Sequence, residues 1–320
     1  MLPRQFHLDK QVIGMKPIFT TIVLLMMVVV SGCKSVNAPT IATGSHHSCA
    51  IDEADVDNKQ VKCWGQDRWG RSFSQPPLLK NPKSVSAGRY TACAIDDNGY
   101  TCWGETSGFF MPVSEKVKQP LVMELNEFHG CAIENAEVIC WGANGDHQTE
   151  VPSLSNPFDV SVGLFHSCAI DDNGVICWGE DSQGQIAVPA LINPVDVAAG
   201  RQHTCAIDDN GVSCWGYPND SGVASVPESL VNPTAISAGD GVTCGIGERV
   251  LSCWGWPDWN NIVADMPIIT NATQVSVRDD HACVVTLDRT VACWGENASE
   301  APAITPVLSA HKTLINTGEE

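Results

Sequence analysis

The sequence predicts an all-β protein: a seven-bladed β-propeller preceded by a lipoprotein signal peptide. Three observations carry this. Cys-Trp-Gly recurs seven times, beginning at Cys63, Cys102, Cys140, Cys177, Cys214, Cys253 and Cys293, with steps of 37 to 40 residues. Every copy contains the same short β-type runs and turns. No stretch inside residues 41–300 shows sustained helical periodicity. A fixed period in this range signals a repeat architecture. Seven small β units, each about one four-stranded sheet, close into a ring that leaves only short, protected edges. An open solenoid is the alternative.

The N-terminus comes first. Residues 15–33 read MKPIFTTIVLLMMVVVSGC. Lys16 precedes an apolar stretch, Ile18 to Val30, interrupted only by Thr20 and Thr21. That is short for a membrane span, which needs about 20 residues, and it reads as an export signal. Met15 is an alternative start. The ending Ser31-Gly32-Cys33 resembles a bacterial lipobox. The resemblance implies that Cys33 becomes the first residue and carries the acyl chains. Lys34 in place of Asp then points, by analogy with Gram-negative sorting, to the outer membrane of a bacterial cell envelope. A simple signal peptide or a single membrane anchor is the alternative. The organisation is then a signal peptide over 1–32, a lipidated tether over 33–40, the propeller over 41–305 and a tail over 306–320.

The chain holds fifteen cysteines. An odd count in an exported protein needs one cysteine of a different kind, and Cys33 is that one. The other fourteen sit inside the repeats. Each copy opens with a β-type run ending in Gly, as in Val195-Asp196-Val197-Ala198-Ala199-Gly200. A strand such as Thr204-Cys205-Ala206-Ile207 follows, then the turn Asp208-Asp209-Asn210-Gly211 and the strand Val212-Ser213-Cys214-Trp215. Asn-Gly between β-branched runs is a hairpin signal, because both residues accept positive φ. A Gly-containing loop then leads to Val-Pro and to a link such as Leu191-Ile192-Asn193-Pro194.

In five copies the two cysteines stand nine apart, with the turn midway. Opposed strand positions lie close enough for a disulfide after modest adjustment. The expected bridges are Cys49-Cys63, Cys93-Cys102, Cys131-Cys140, Cys168-Cys177, Cys205-Cys214, Cys244-Cys253 and Cys283-Cys293. The last is one residue longer and should carry a bulge. The first spans an enlarged turn. Zinc is the rival for so many cysteines, but its usual C-x2-C spacing does not occur, and an exported chain favours oxidation.

With these elements in view, the chain resembles the regulator of chromosome condensation repeat family. That family's pattern is met by Gly200, His203, Thr204, Gly211, Val212, Trp215 and Gly216, and again by Gly163, His166, Gly174, Val175, Trp178 and Gly179. Its loop glycine appears as Gly70 and Gly184. The resemblance spans about residues 41–305 and implies a seven-bladed propeller. The framework Gly before each first Cys is Asn126 in copy three, which tolerates positive φ, and Arg278 in copy seven, where the local bend is in question.

Histidines stand two residues before the first Cys in five copies: His47, His129, His166, His203 and His281. A repeated position is a repeated packing contact, here expected as a hydrogen bond between turns of the blade. Metal ligation would need convergence that separate blades rarely give, and no metal or cofactor is expected. The Cys-Trp-Gly tryptophans read as packing residues. The acidic run Asp52 to Asn58 lacks the Gly and distal Glu of a calcium loop and reads as solvated.

Candidate binding residues are those that do not repeat. Arg68, Trp69, Arg71, Tyr217, Trp256 and Trp259 follow Trp-Gly in the variable loops, with Asp258 and Asn260 beside them. Aromatics and arginines of this kind are what a binding face uses. No nucleophile–base signature or phosphate loop appears, so no enzyme is expected. The formal net charge is −19, with 37 Asp+Glu against 18 Lys+Arg. The first 32 residues carry a net of +2, so the remainder is near −21. Such a surface repels nucleic acid.

The expected function is a monomeric, membrane-tethered scaffold presenting loops to a protein of the envelope or the exterior. Bacterial relatives with this repeat include a secreted propeller that inhibits β-lactamases through loops on one face, so enzyme inhibition is one form of this reading. A carbohydrate-binding propeller is the alternative and predicts an aromatic at one loop position in most copies. Guanine-nucleotide exchange, the activity of the family's namesake, comes last for an exported acidic chain.

Overall fold

The structure, a computed structural model, describes residues 40–52, 59–105, 113–217, 222–256 and 261–295. Among the described residues, twenty-one strands form seven antiparallel sheets of three strands each, every sheet built from consecutive strands. In blade five the inner strand is Asp196–Ala199, the middle His203–Asp208 and the outer Gly211–Gly216. The other six blades repeat this plan.

Among the described residues each sheet has three strands where four were expected. The chain after the outer strand carries Pro76, Pro152, Pro189 or Pro227, and proline cannot donate to a ladder. In blade one a side chain stands in for the missing strand. Gln75 donates Nε2–H to the Cys63 carbonyl at 2.7 Å and accepts the Cys63 N–H at 3.2 Å.

Among the described residues the ring closes by packing, without strand exchange. Seven buried apolar clusters lie one at each junction between blades. The cluster between blades seven and one joins Ile41, Ala50 and Trp64 to Cys283 and Val291. Hydrogen bonds add to it: the Thr40 N–H donates to Gln274 Oε1 at 2.8 Å and the Thr43 N–H to Ser276 Oγ at 3.0 Å. The same device protects other inner strands. Ser86, Ser161 and Ser237 accept the Leu125, Ala199 and Val277 N–H groups of the following blades at 2.9–3.0 Å. An exposed row of unpaired donors is thereby capped.

All seven disulfides form within their own blades, Cα to Cα 4.0–4.1 Å. In the last blade the ladder runs from His281↔Gly295 to Val285↔Val291 without a shift. The extra residue sits in the turn instead, where Arg289 takes positive φ, so no bulge forms beside Cys283–Cys293.

The Asp-Asp-Asn-Gly turns also differ from expectation. Only the glycines Gly99, Gly174 and Gly211 have positive φ. The asparagine does not need it, because the first aspartate caps the turn: Asp171 Oδ1 accepts the Asn173 N–H at 2.7 Å. Its Oδ2 accepts the Ser155 N–H of the incoming link at 2.7 Å. Where the motif is lost, two residues turn left-handed, Asn135 with Ala136 and Glu248 with Arg249.

The framework glycines serve close approach rather than positive φ. A Cβ on Gly200 would stand 2.7 Å from the Gly239 carbonyl oxygen and 2.5 Å from its own blade's His203 ring. Asn126 likewise avoids positive φ; its Nδ2 donates to the Val162 carbonyl of blade four at 3.0 Å. Arg278 keeps the strand regular, paired with His281.

Candidate functional site

The recurrent histidines tie blade to blade, not turn to turn within one. His129 Nε2 lies 2.8 Å from Ser167 Oγ, His166 Nε2 2.9 Å from Thr204 Oγ1, His203 Nε2 2.8 Å from Thr243 Oγ1 and His281 Nε2 2.7 Å from Ser48 Oγ. Thr204 also donates to the Gln185 carbonyl at 2.8 Å, and the Trp215 indole N–H donates to the same oxygen at 2.9 Å. A hydroxyl has one hydrogen, so Thr204 accepts from His166, and Nε2 carries the proton. Burial pushes His129 and His166 down to about 3 and His203 to about 4, leaving neutral rings. Blade two has Ala92 at the hydroxyl position. His47 accordingly stacks on Phe73, centroids 3.7 Å apart. Among the described residues no three His, Cys, Asp or Glu side chains gather as metal ligands. Cys33, the acidic positions 53–58 and Trp259 with Asp258 and Asn260 lie outside the described residues.

Two ends of the ring result. One carries the hairpin turns and the links between blades. The other carries the loop after each framework Gly and the loop after each Trp-Gly, laced together by backbone bonds such as Tyr217 N–H to Gln202 O and Trp256 N–H to Gly241 O. The described candidate residues all fall on this second face.

Blade one's loop is a tight turn around Asp67, which accepts the Trp69 and Arg71 N–H groups at 2.9 and 3.0 Å and pairs with the Arg71 guanidinium at 2.6 Å. Trp69 is 64% exposed, with the Arg71 and Arg68 guanidinium carbons 4.6 and 5.2 Å from its ring. Arg68 also pairs with Glu105 of blade two at 2.6 Å. Tyr217 and Trp256, from neighbouring blades, meet edge to face at 5.3 Å. Trp256 lies on Gly241, whose Cβ would stand 2.8 Å from the indole. The fold thus brings Tyr217 and Trp256 together. It leaves Trp69 on blade one, with blade seven between.

The sequence analysis missed the residues that immediately follow the framework Gly. They read Ser45-His46, Arg89-Tyr90, Glu127-Phe128, Leu164-Phe165, Arg201-Gln202, Asp240-Gly241 and Asp279-Asp280. The first of each pair rings the mouth of the central channel. Arg89 reaches Glu127 at 3.8 Å and Arg201 reaches Asp240 at 2.8 Å. Burial, then the charge of Asp279, lifts Glu127 to about 7. In the first four pairs the second residue supplies a half-buried ring: His46 stacks on Tyr90 at 5.5 Å and Phe128 on Phe165 at 5.4 Å. The signal was visible as two variable positions inside the most regular part of the repeat, between Gly and His.

Arg278 lies beneath this mouth. Its Nη2 donates to the Leu125 carbonyl at 2.7 Å and the Ala87 carbonyl at 3.4 Å, and its Nε to the Thr43 carbonyl at 3.5 Å. One side chain of blade seven therefore joins blades one, two and three across the axis. A cavity of about 260 Å³ opens above it, lined by Glu127, Arg201, Asp240 and Asp279. The channel below, about 400 Å³, is lined by inner strands and holds Glu124, Asp159 and Asp196. Burial lifts Glu124 to about 7 and Asp196 to about 6. Asp159 is raised by burial and by those two charges.

The molecule is a closed ring of small stapled sheets, with its variable aromatic and charged side chains crowded at one face. Two stretches, residues 159–185 and 195–223 in blades four and five, match the regulator of chromosome condensation (RCC1) repeat. The same three-strand framework runs through the other blades. No curated protein matches it. Among solved structures, the CRINKLY WD40 ectodomain of the Arabidopsis thaliana receptor kinase ACR4 is 20% identical over 80% of this chain and 95% of its own, with a TM-score of 0.62. The ectodomain of the Physcomitrella patens receptor kinase CR4 is 23% identical over 80% and 72%, TM-score 0.65. Yeast RCC1 (Prp20), in a complex with Kap60, is 14% identical over 95% and 89%, TM-score 0.59. These likenesses establish the fold.

Proposed function

We propose that the chain is a non-enzymatic scaffold, tethered to a bacterial envelope membrane through lipid on Cys33, that binds a protein of the envelope or the exterior. Binding uses the face around the channel mouth, and inhibition of an enzyme is one form it takes. The observation that carries this reading is the placement of variability. The framework positions are buried between blades, whereas the non-repeating aromatics and charges sit together at one end of the ring. Aromatics and arginines are the side chains that anchor protein interfaces. Yeast Prp20p, a propeller of the same fold, is described with binding properties to Gsp1p and histones. A sugar reading asks for one aromatic per blade at a common loop position. The residues directly after Trp-Gly are Gln66, Glu105, Ala143, Glu180, Tyr217, Trp256 and Glu296, which offer two.

A photocrosslinking residue placed at Trp69, Phe128 or Tyr217 in intact cells tests this. One protein, captured from more than one of these positions and lost on Arg201→Glu, is the expected result. Protein adducts at none of the three positions would end the proposal.

A further inference from the structure

The face opposite the aromatic one has chemistry of its own. Nine large apolar side chains are exposed among the described residues, and eight of them lie on the end that carries hairpin turns and links. Leu78 is 90% exposed and Ile268 95% exposed. Isolated exposed aliphatics are ordinary; their collection at one end of a ring is not. Lysines join them. Lys80 and Lys83 stand exposed in the link entering blade two, beside Leu78. Lys116 and Lys118 stand exposed in the link entering blade three, beside Leu121.

The links face this end because the hairpins hold them there. The Lys80 N–H donates to Asp96 at 2.8 Å, the Asp97 N–H to the Lys80 carbonyl at 2.9 Å and the Leu121 N–H to the Ile133 carbonyl at 2.7 Å. Acidic groups of the same end are engaged locally: Asp97 with Lys83 at 3.0 Å, Asp172 with Asn156 at 2.7 Å and Asp209 with Asn193 at 2.6 Å.

The chain enters the ring at this end. Ile41–Thr43 runs away from it towards the aromatic face, and the Thr40 carbonyl accepts the Ile51 N–H at 2.8 Å beside the first hairpin. Seven residue steps lead from Cys33 to Thr40, a reach of at most about 25 Å.

We infer that the turn-and-link face rests on an anionic lipid surface, with Leu78, Lys80, Lys83, Lys116, Lys118 and Leu121 of blades two and three making the contact. This deepens the tether reading and rests on it for the short leash. Aliphatic side chains enter the headgroup boundary while lysines meet lipid phosphates. The aromatic face then points away from the membrane, towards the partner. Across residues 74–83 and 113–121 four lysines stand against one acid, Glu115.

The test uses the full mature chain on vesicles of phosphatidylglycerol and phosphatidylethanolamine, with a photocrosslinking residue at Leu78, Leu121 or Trp69. Lipid adducts should form at 78 and 121 and not at 69. Lys80→Gln and Lys118→Gln should each lower the yield, about five-fold per lysine for a freely equilibrating contact, with thermal unfolding unchanged. No lipid adduct at 78 and 121, equal labelling at 69, or a second protein chain captured at 78 would overturn the inference. The mass of the N-terminal peptide reads the tether separately. Acylated Cys33 without adducts at 78 and 121 ends the docking alone; unmodified Cys33 with those adducts ends the tether alone.

Discussion

Thr204→Val separates hydrogen bonding from packing at a junction between blades. Valine keeps the shape of threonine and removes the hydroxyl. Thr204 and His166 are both fully buried. The hydroxyl accepts from His166 Nε2 at 2.9 Å and donates to the Gln185 carbonyl at 2.8 Å. After substitution that carbonyl still receives the Trp215 indole at 2.9 Å, so the acceptor remains satisfied. The His166 N–H does not, and a buried donor without a partner costs about 1–3 kcal/mol. An expected loss of about 2 kcal/mol lowers the melting temperature by about 4–8 °C for a domain of this size. The assay is thermal and urea unfolding of the oxidised protein, repeated with His166→Leu and with both changes together. The double variant should recover at least about 1 kcal/mol against the sum of the singles, as coupled neighbours do. A Thr204→Val loss below about 0.5 kcal/mol, or strict additivity, would refute the junction relay.

Other outcomes follow from the same geometry. His129, His166 and His203 have folded values below the ordinary 6.5. The unfolded chain therefore takes up protons first, and their contribution falls as pH drops from about 6.5 towards 4, by up to about 1.4 kcal/mol per unit per histidine. Glu124 and Asp196, raised to about 7 and about 6, act oppositely and favour the fold as pH falls towards about 4.5. His166→Asn should thus gain on the parent by about 1.4 kcal/mol per unit between pH 6 and 4; parallel urea-derived profiles would contradict this. Ala136→Gly and Arg249→Gly, at φ 62° and 68°, should each stabilise by about 1 kcal/mol in calorimetry, since glycine accepts left-handed backbone freely. Replacing Cys168 and Cys177 together by alanine should cost about 2–3 kcal/mol in unfolding experiments, the effect of opening a ten-residue loop. Arg278→Met, which leaves the Leu125 and Ala87 carbonyls without their guanidinium, should cost about 2 kcal/mol and speed amide exchange in blades one, two and three.

The repeat was legible in the linear text because each blade is a local object. Its three strands are consecutive, its disulfide spans nine to fourteen positions, and in blades two, four and five its hairpin is capped by its own aspartate. Cys168 and Cys177 oppose each other because the turn lies midway, a matter of counting. The count of strands per blade was less legible, since a proline-bearing link resembles a weak fourth strand until its hydrogen bonds are traced. The role of the histidines was hidden for a different reason. His166 and Thr204 stand 38 positions apart, and only the curvature of the ring sets one against the other.

By itself, then, the sequence determined the repeat, its hairpins and the partners of its cysteines, since these depend on contacts over a few residues. Tertiary structure alone decided what meets across junctions and across the axis: Arg278 on the carbonyls of three other blades, Tyr217 against Trp256, and a lysine–leucine end opposite an aromatic one. Such pairings depend on how far each sheet is rotated from the last, and side-chain packing summed around the whole ring sets that angle.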